Sequence, residues 1–182
     1  MYEKDALRAK MREKTQQYTT MDFVEEDLRS CGVLLECKRY QECGVLFAFH
    51  PLASEVDITP ILENAITTRR LALPRTEADG SLTFFIVTDL ALLRRGRFAI
   101  AEPHAGELVV PTPTDLMLIP ALAYDRAHRR LGRGKGYYDR YLKQNNTVAT
   151  VGVCRSYQLV DTIPTQAWDR RVDHVLCAGT LY

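Results

Sequence analysis

Two spacings of apolar residues organise the chain. Ile58, Ile61, Leu62, Ala65 and Ile66 recur at i, i+3, i+4, i+7 and i+8, the pattern of a helix with one buried face. Thr59 is placed to offer an N-cap oxygen, and Pro60 at the first helical position loses no needed donor. Residues 2–16 predict an exposed helix. Leu7 and Met11 lie four apart on one face, while Lys4, Arg8 and Arg12 form a cationic stripe on another. A further helix is expected from about Asp22 through Phe23, Val24 and Leu28 toward Cys31.

The second spacing is the short continuous apolar run. Gly44–Phe49 reads as a buried strand, and similar runs follow at Leu71–Leu73, Thr83–Val87, Phe98–Ala101, Leu116–Ile119, Val148–Val153 and His174–Cys177. Strands interleaved with helices predict an α/β sandwich with a mostly parallel sheet. Thr83–Val87 and Phe98–Ala101 are joined by too few residues for a helical crossover, so a hairpin is expected between them. Pro103–Pro113 reads as a loop. No repeat, low-complexity tract or linker interrupts the chain, and residues 1–182 are expected to form one domain.

Composition narrows the possibilities. Hydrophobic content of 46% and charged content of 26% exclude disordered and collagen-like classes. The net charge of +1 argues against a nucleic-acid binder, whose footprint is strongly basic. Five cysteines, with no C-x-x-C pair, exclude a disulfide framework or structural zinc site and predict reduced, mostly buried thiols. The start of the chain lacks the apolar region of a signal peptide, and no run approaches the ~20 residues of a membrane span. A cytoplasmic protein without membrane partners is expected.

The charge is not evenly spread. Between Asp125 and Arg140, five Arg and one Lys face two Asp, a local excess of +4. Here glycines alternate at positions 132, 134 and 136 around Arg133 and Lys135. Glycine at every second residue lets backbone amides turn toward an anion without Cβ obstruction. The segment precedes a helical stretch starting near Tyr137, whose N-terminus also favours phosphate. It fits neither G-x-x-x-x-G-K-[ST] nor G-x-G-x-x-G. Crowded cations predict a bound phosphate or polyanion. Asp139, just beyond, is either a Mg²⁺ ligand beside the phosphates or an ordinary first-turn helix acid.

Leu118-Ile-Pro-Ala-Leu-Ala-Tyr-Asp125, followed by Arg130-Leu-Gly-Arg-Gly-Lys-Gly-Tyr-Tyr-Asp139, resembles the signature of the 5-formyltetrahydrofolate cyclo-ligase family. The likeness extends over nearly the whole chain, through Lys4-x-x-Leu7-Arg8, His50-Pro-Leu-Ala-Ser-Glu55-Val-Asp, Leu73-Pro74-Arg75, Val151-Gly152-Val, Gln158-Leu-Val, Ile163-Pro164, Trp168-Asp169 and Val172-Asp173. Three positions depart from it. The family usually has glycine where Ala121 and His128 stand, and histidine where Trp168 stands.

The resemblance implies a Rossmann-like three-layer α/β/α sandwich with a mixed, mostly parallel central sheet. It implies closure of 5-formyltetrahydrofolate to 5,10-methenyltetrahydrofolate using ATP and Mg²⁺, by a monomer acting on small molecules without nucleic acid. Residue by residue, it places ATP on Lys4, Arg8 and the run Arg130, Leu131, Gly132, Arg133, Gly134, Lys135, Gly136, Tyr137 and Tyr138. Lys135 and Arg130 would meet the charge of the transferred phosphoryl group. His50 and Glu55 would contact folate, joined by Arg8, Arg133 and Tyr137, and Asp139 and Asp173 would hold the metal. Taken without the resemblance, Lys4 and Arg8 read as a solvated stripe, Glu55 as a turn acid, and Asp173 as a strand-start acid pairing with Arg170 or Arg171. The residues alone leave open another phosphate-handling α/β enzyme, such as a phosphosugar isomerase-like protein, and, against the charge balance, a nucleic-acid-binding module.

Overall fold

The computed structural model describes residues 2–182. It opens with three helices, α1 (Tyr2–Gln16), α2 (Val24–Glu36) and α3 (Lys38–Glu42). α2 follows a 3-10 turn over Thr20–Phe23 and runs well past Cys31. Its packing face is Cys31 and Leu34 with Asp27 and Ser30, whereas Val24 and Leu28 are exposed.

β1 (Val45–Phe47) leads through a loop into α4 (Thr59–Thr68), whose start differs from expectation. Ile58 holds the N-cap position, and the Thr59 amide donates to the Asp57 carboxylate at 3.0 Å. Asp57 thus supplies the capping oxygen, and Pro60 sits in the first turn, where no amide is needed.

β2 (Arg70–Thr76) and β3 (Leu82–Val87) form an antiparallel hairpin across Glu77–Ser81, where Gly80 takes a positive φ. The hairpin expected between residues 83–87 and 98–101 is absent. Phe98 and Ala99 have φ of 62° and 60°, incompatible with a strand, and lie in a 3-10 turn. β4 (Arg94–Arg95) and β5 (Ala101–Glu102), on either side of it, pair with each other. The free edge of β3 is taken by β6 (Leu108–Val109), a short strand inside the stretch expected as loop.

Next come β7 (Leu116–Pro120), β8 (Ala123–Asp125), β9 (Arg130–Leu131), α5 (Tyr137–Gln144), β10 (Ala149–Cys154), β11 (Leu159–Val160), β12 (His174–Cys177) and β13 (Thr180–Leu181). The main sheet has order β13-β12-β10-β7-β1-β2-β3-β6. The pairs from β12 to β2 are parallel, and the outer ones are antiparallel. A small sheet, β11-β8-β9, lies beside it.

Side-chain alternation in these buried strands separates two cores. Leu46, Leu71, Leu116, Leu118 and Val153 face Leu34, Tyr40, Ile61 and Leu62 of α2–α4. Phe47, Ala72, Met117, Ile119 and Val175 face Tyr141 and Leu142 of α5. The result is the expected three-layer α/β/α sandwich on a mixed, mostly parallel sheet. A third cluster packs Met11 of α1 and Phe23 on Leu122, Ala123 and Leu131 of the small sheet.

Connectivity fixes where a ligand can enter. From β1 the chain winds to β2 in one direction, and from β7 it winds through β10 to β12 in the other. The crevice beyond the carboxyl ends of β1 and β7 is therefore the switch point, the usual ligand position in such sheets.

Candidate active site

A cavity of about 320 Å³ occupies that crevice. Phe49 and His50 follow β1, Pro74 and Thr76 belong to β2, Pro120 ends β7, and Ala121 follows it. Leu52, Leu82 and Ile100 add apolar wall, and the glycine-rich loop closes one side with Arg130, Gly132, Arg133, Lys135 and Gly136.

That loop is shaped by its glycines and held by arginines. Gly134 and Gly136 have φ of 102° and 68°, a region costly for other residues. Gly136 is the N-cap of α5, so the unpaired first-turn amides of that helix open toward the cavity lined by Tyr137, Tyr138 and Asp139. Arg140 donates to the carbonyls of Lys135, at 2.9 Å, and Gly80, tying the loop to the β2–β3 turn. Arg8 reaches from α1 to donate to the Gly132 carbonyl at 3.0 Å, its guanidinium lying over Gly134.

Each cation has a distinct setting. Arg130 is buried and pairs with Asp139 at 2.6 Å, yet its Nη1 is buried with no hydrogen-bond partner. An unsatisfied buried guanidinium donor is expensive, and an anion would satisfy it. Arg133 is half exposed and donates to Glu55 at 2.9 Å, linking the loop to residues 50–57. Lys135 is exposed and lines the cavity with no ion-pair partner among the described residues. Lys4 is not the solvated residue that a helix stripe suggests: it is buried against Asp169. Arg12 does stay outside. Around Arg130, Thr165, Gln166 and Asp169–Arg171 enclose a smaller polar cavity of about 180 Å³.

The positions predicted from sequence therefore largely converge. His50, Glu55, Arg130, Gly132, Arg133, Lys135, Gly136, Tyr137, Tyr138 and Asp139 line one cavity; Arg8 bonds to its Gly132, and Lys4 pairs with Asp169 on the smaller cavity beside it. Leu131 packs in the third core cluster, so only its backbone could meet a ligand. Asp173 lines neither cavity. It is exposed at the start of β12 and accepts from the amide and hydroxyl of Thr150 at 2.7 and 2.8 Å. Among the described residues, no group of three or more His, Cys, Asp or Glu side chains could hold a metal by itself. Asp139 offers one carboxylate. Its contacts, Arg130 and the Arg170 amide, both fall on Oδ1.

Burial raises the phenol of Tyr138 well above its ordinary range; Glu55 adds to this and Arg130 opposes it. The hydroxyl is therefore protonated at neutral pH and able to donate. Sequence reasoning missed Asp169, the partner of Lys4, although Trp168-Asp169 was visible as a pair. It missed Glu102 and Phe98 too, because the folding of residues 94–102 over the cavity leaves no periodic signal.

Asp125, also unassigned, shapes the loop entry. Fully buried, it accepts from the amides of Ala127, Arg129 and Ile163 and from the Arg129 guanidinium. This web holds His128 at φ 62°, which accounts for glycine being usual there in the family it resembles. Trp168 is exposed.

Comparison with known proteins adds a family. The profile of the 5-formyltetrahydrofolate cyclo-ligase family matches residues 1–178. A mouse 5-formyltetrahydrofolate cyclo-ligase is 26% identical, the match covering 95% of this chain and 92% of the mouse protein. One from Mycolicibacterium smegmatis is 43% identical over a shorter match covering 43% of this chain and 42% of that protein. The NMR structure of Aquifex aeolicus 5,10-methenyltetrahydrofolate synthetase superposes with a TM-score of 0.87 at 31% identity, covering 98% of this chain and 91% of that one. A Mycoplasma pneumoniae 5,10-methenyltetrahydrofolate synthetase shares the fold, with a TM-score of 0.76 at 23% identity, covering 96% of this chain and 98% of that one.

Proposed function

The chain belongs to the 5-formyltetrahydrofolate cyclo-ligase family, and from that premise we propose that it closes 5-formyltetrahydrofolate to 5,10-methenyltetrahydrofolate, converting ATP to ADP and phosphate. The observation that carries the reading is the buried, unpartnered Nη1 of Arg130 beside the Gly132–Gly136 loop, at the edge of a cavity that also has an apolar wall of Phe49, Leu52, Leu82 and Ile100. One end suits a phosphate group and the other a flat heterocycle.

The chemistry explains why such a site is needed. The nitrogen lone pair of an N-formyl group is delocalised into its carbonyl, so the carbon is a poor electrophile. Transfer of the γ-phosphoryl group to the formyl oxygen makes that oxygen a leaving group and releases ADP. Folate N10 then attacks the carbon and gives up its proton to solvent, and the C–O bond breaks with loss of phosphate as N5 restores its lone pair to the carbon. Phosphoryl transfer depends on positioning and on stabilising charge as it moves. Arg130, held rigidly by Asp139, and Lys135, free to swing, meet that charge. The loop amides and the α5 N-terminus bind the phosphates, and Lys4 and Arg8 close the site from α1.

Mg²⁺ fits as part of a metal–nucleotide complex. This ion keeps waters and phosphate oxygens and takes only one or two carboxylates, which Asp139 can supply. When bound, it neutralises phosphate charge. Asp173 would stay with Thr150. Purified protein given Mg-ATP and 5-formyltetrahydrofolate should develop the near-ultraviolet absorbance of the methenyl product. Absence of that product under metal-replete conditions would overturn the proposal.

A further inference from the structure

Three carboxylates line the switch-point cavity: Glu55, Asp139 and Glu102. Two are committed to the protein. Asp139 is held by Arg130 and the Arg170 amide, and Glu55 accepts from Arg133 and the Leu52 amide. Glu102, on β5, is only 7% exposed and accepts no hydrogen bond from any described residue. Unlike Arg130 Nη1, its oxygens are not sealed from solvent; they open onto the cavity, where a ligand can supply the donors that the chain does not.

We propose that Glu102 is the residue that reads the amino-pyrimidinone edge of the folate, a specificity determinant of the cavity; the inference rests on the folate reading of that cavity. The 2-amino group and the ring N3–H present two parallel donors along one edge, matched to the two oxygens of a single carboxylate. Glu55, expected from the resemblance to contact folate, already accepts from Arg133 and the Leu52 amide. Gly96 supplies a second observation. A Cβ there would lie 2.2 Å from Glu102 Oε2, so the carboxylate is seated directly against the glycine backbone. The Gly96 amide does not serve it, because that amide donates to the Ile100 carbonyl at 2.8 Å. The β4–β5 hairpin therefore places a carboxylate in a glycine-lined seat and leaves both of its oxygens for a ligand.

The test is calorimetric titration, without nucleotide, of 5-formyltetrahydrofolate and its 2-desamino-2-methyl analogue, which lacks the amino donor. Wild-type protein should prefer the parent compound. Glu102→Gln, which turns one acceptor into a donor of the wrong sense, should weaken the parent by about 10- to 100-fold and the analogue by less than about threefold. Gly96→Ala should show the same selectivity, since a Cβ there would fall 2.2, 2.5 and 2.9 Å from Glu102 Oε2, Cδ and Cγ and must displace that side chain. Thermal melts and Mg-ATP affinity should match wild type for Glu102→Gln. Equal losses for both folates, or no loss, would overturn the role of Glu102 while leaving the folate reading intact. A wild-type protein that binds neither folate would instead overturn that reading, and this role with it.

Discussion

Arg130 and Lys135 belong to one loop, yet their surroundings prescribe different behaviour. Arg130 is buried, paired with Asp139 and packed 5.5 Å from the Tyr138 ring centroid, so replacing it disturbs both structure and chemistry. Lys135 is exposed and touches no acid among the described residues, so its side chain contributes little to the unliganded fold. In the proposed phosphoryl transfer its charge meets the moving phosphate charge. Lys135→Ala should therefore lower kcat by about 100-fold or more, with an unchanged melting temperature. Steady-state kinetics beside a thermal melt separate the possibilities. A rise in KM alone would make Lys135 a binding residue, and a lowered melting temperature would make it a structural one.

Among the elements, α2 and the end of β10 are joined by a buried ion pair that also sets the loop carrying His50 and Glu55. Arg155 donates to both oxygens of Asp27, at 3.1 and 2.7 Å, and to the Ala53 carbonyl at 3.0 Å, while Asp27 accepts from the Asp57 amide. Asp27→Ala strands a buried guanidinium and should cost about 3 kcal/mol or more in chemical denaturation. Asp27→Leu with Arg155→Met should recover most of that loss, because two apolar groups leave no uncompensated charge. A double variant no more stable than Asp27→Ala would show instead that the bonds to Ala53 and Asp57 are the essential ones. This is also where legibility in the sequence divides. α1, α4, β1, β7 and β10 were readable because periodicity and continuous apolar runs report burial directly. The glycine loop was readable because its residue types have few other uses. The 94–102 hairpin was not, since left-handed Phe98 and Ala99 are imposed by tertiary packing rather than by local preference. Glu102, Asp169 and Asp27 were silent for the same reason: their partners are distant in sequence or absent from the chain.

For the molecule as a whole, the near balance of charge has a consequence for stability against pH. With a net charge of +1, self-repulsion is small near neutrality, so the main pH-dependent term on the alkaline side comes from buried neutral acids. Burial, with smaller contributions from Asp57 and Asp27, pushes the Cys31 thiol up to about 12 from its ordinary 9. Burial likewise raises the phenols of Tyr124, Tyr138 and Tyr141. In every case the folded value lies above the unfolded one, so the folded state holds protons that the unfolded state releases. The stabilising contribution is complete below the unfolded values and is lost as pH rises from about 9 through the folded values. Unfolding free energy by urea titration should thus be level from pH 7 to about 8.5 and fall steeply by pH 10.5. One fully shielded group contributes at most about 1.4 kcal/mol per pH unit, and solvent screening lowers that figure. Cys31→Ala, although less stable at every pH for the lost packing, should show a shallower decline between pH 9 and 10, because it lacks the thiol whose unfolded value lies near 9, below those of the tyrosines. If wild type and Cys31→Ala fall in parallel across that interval, the loss does not belong to the Cys31 thiol.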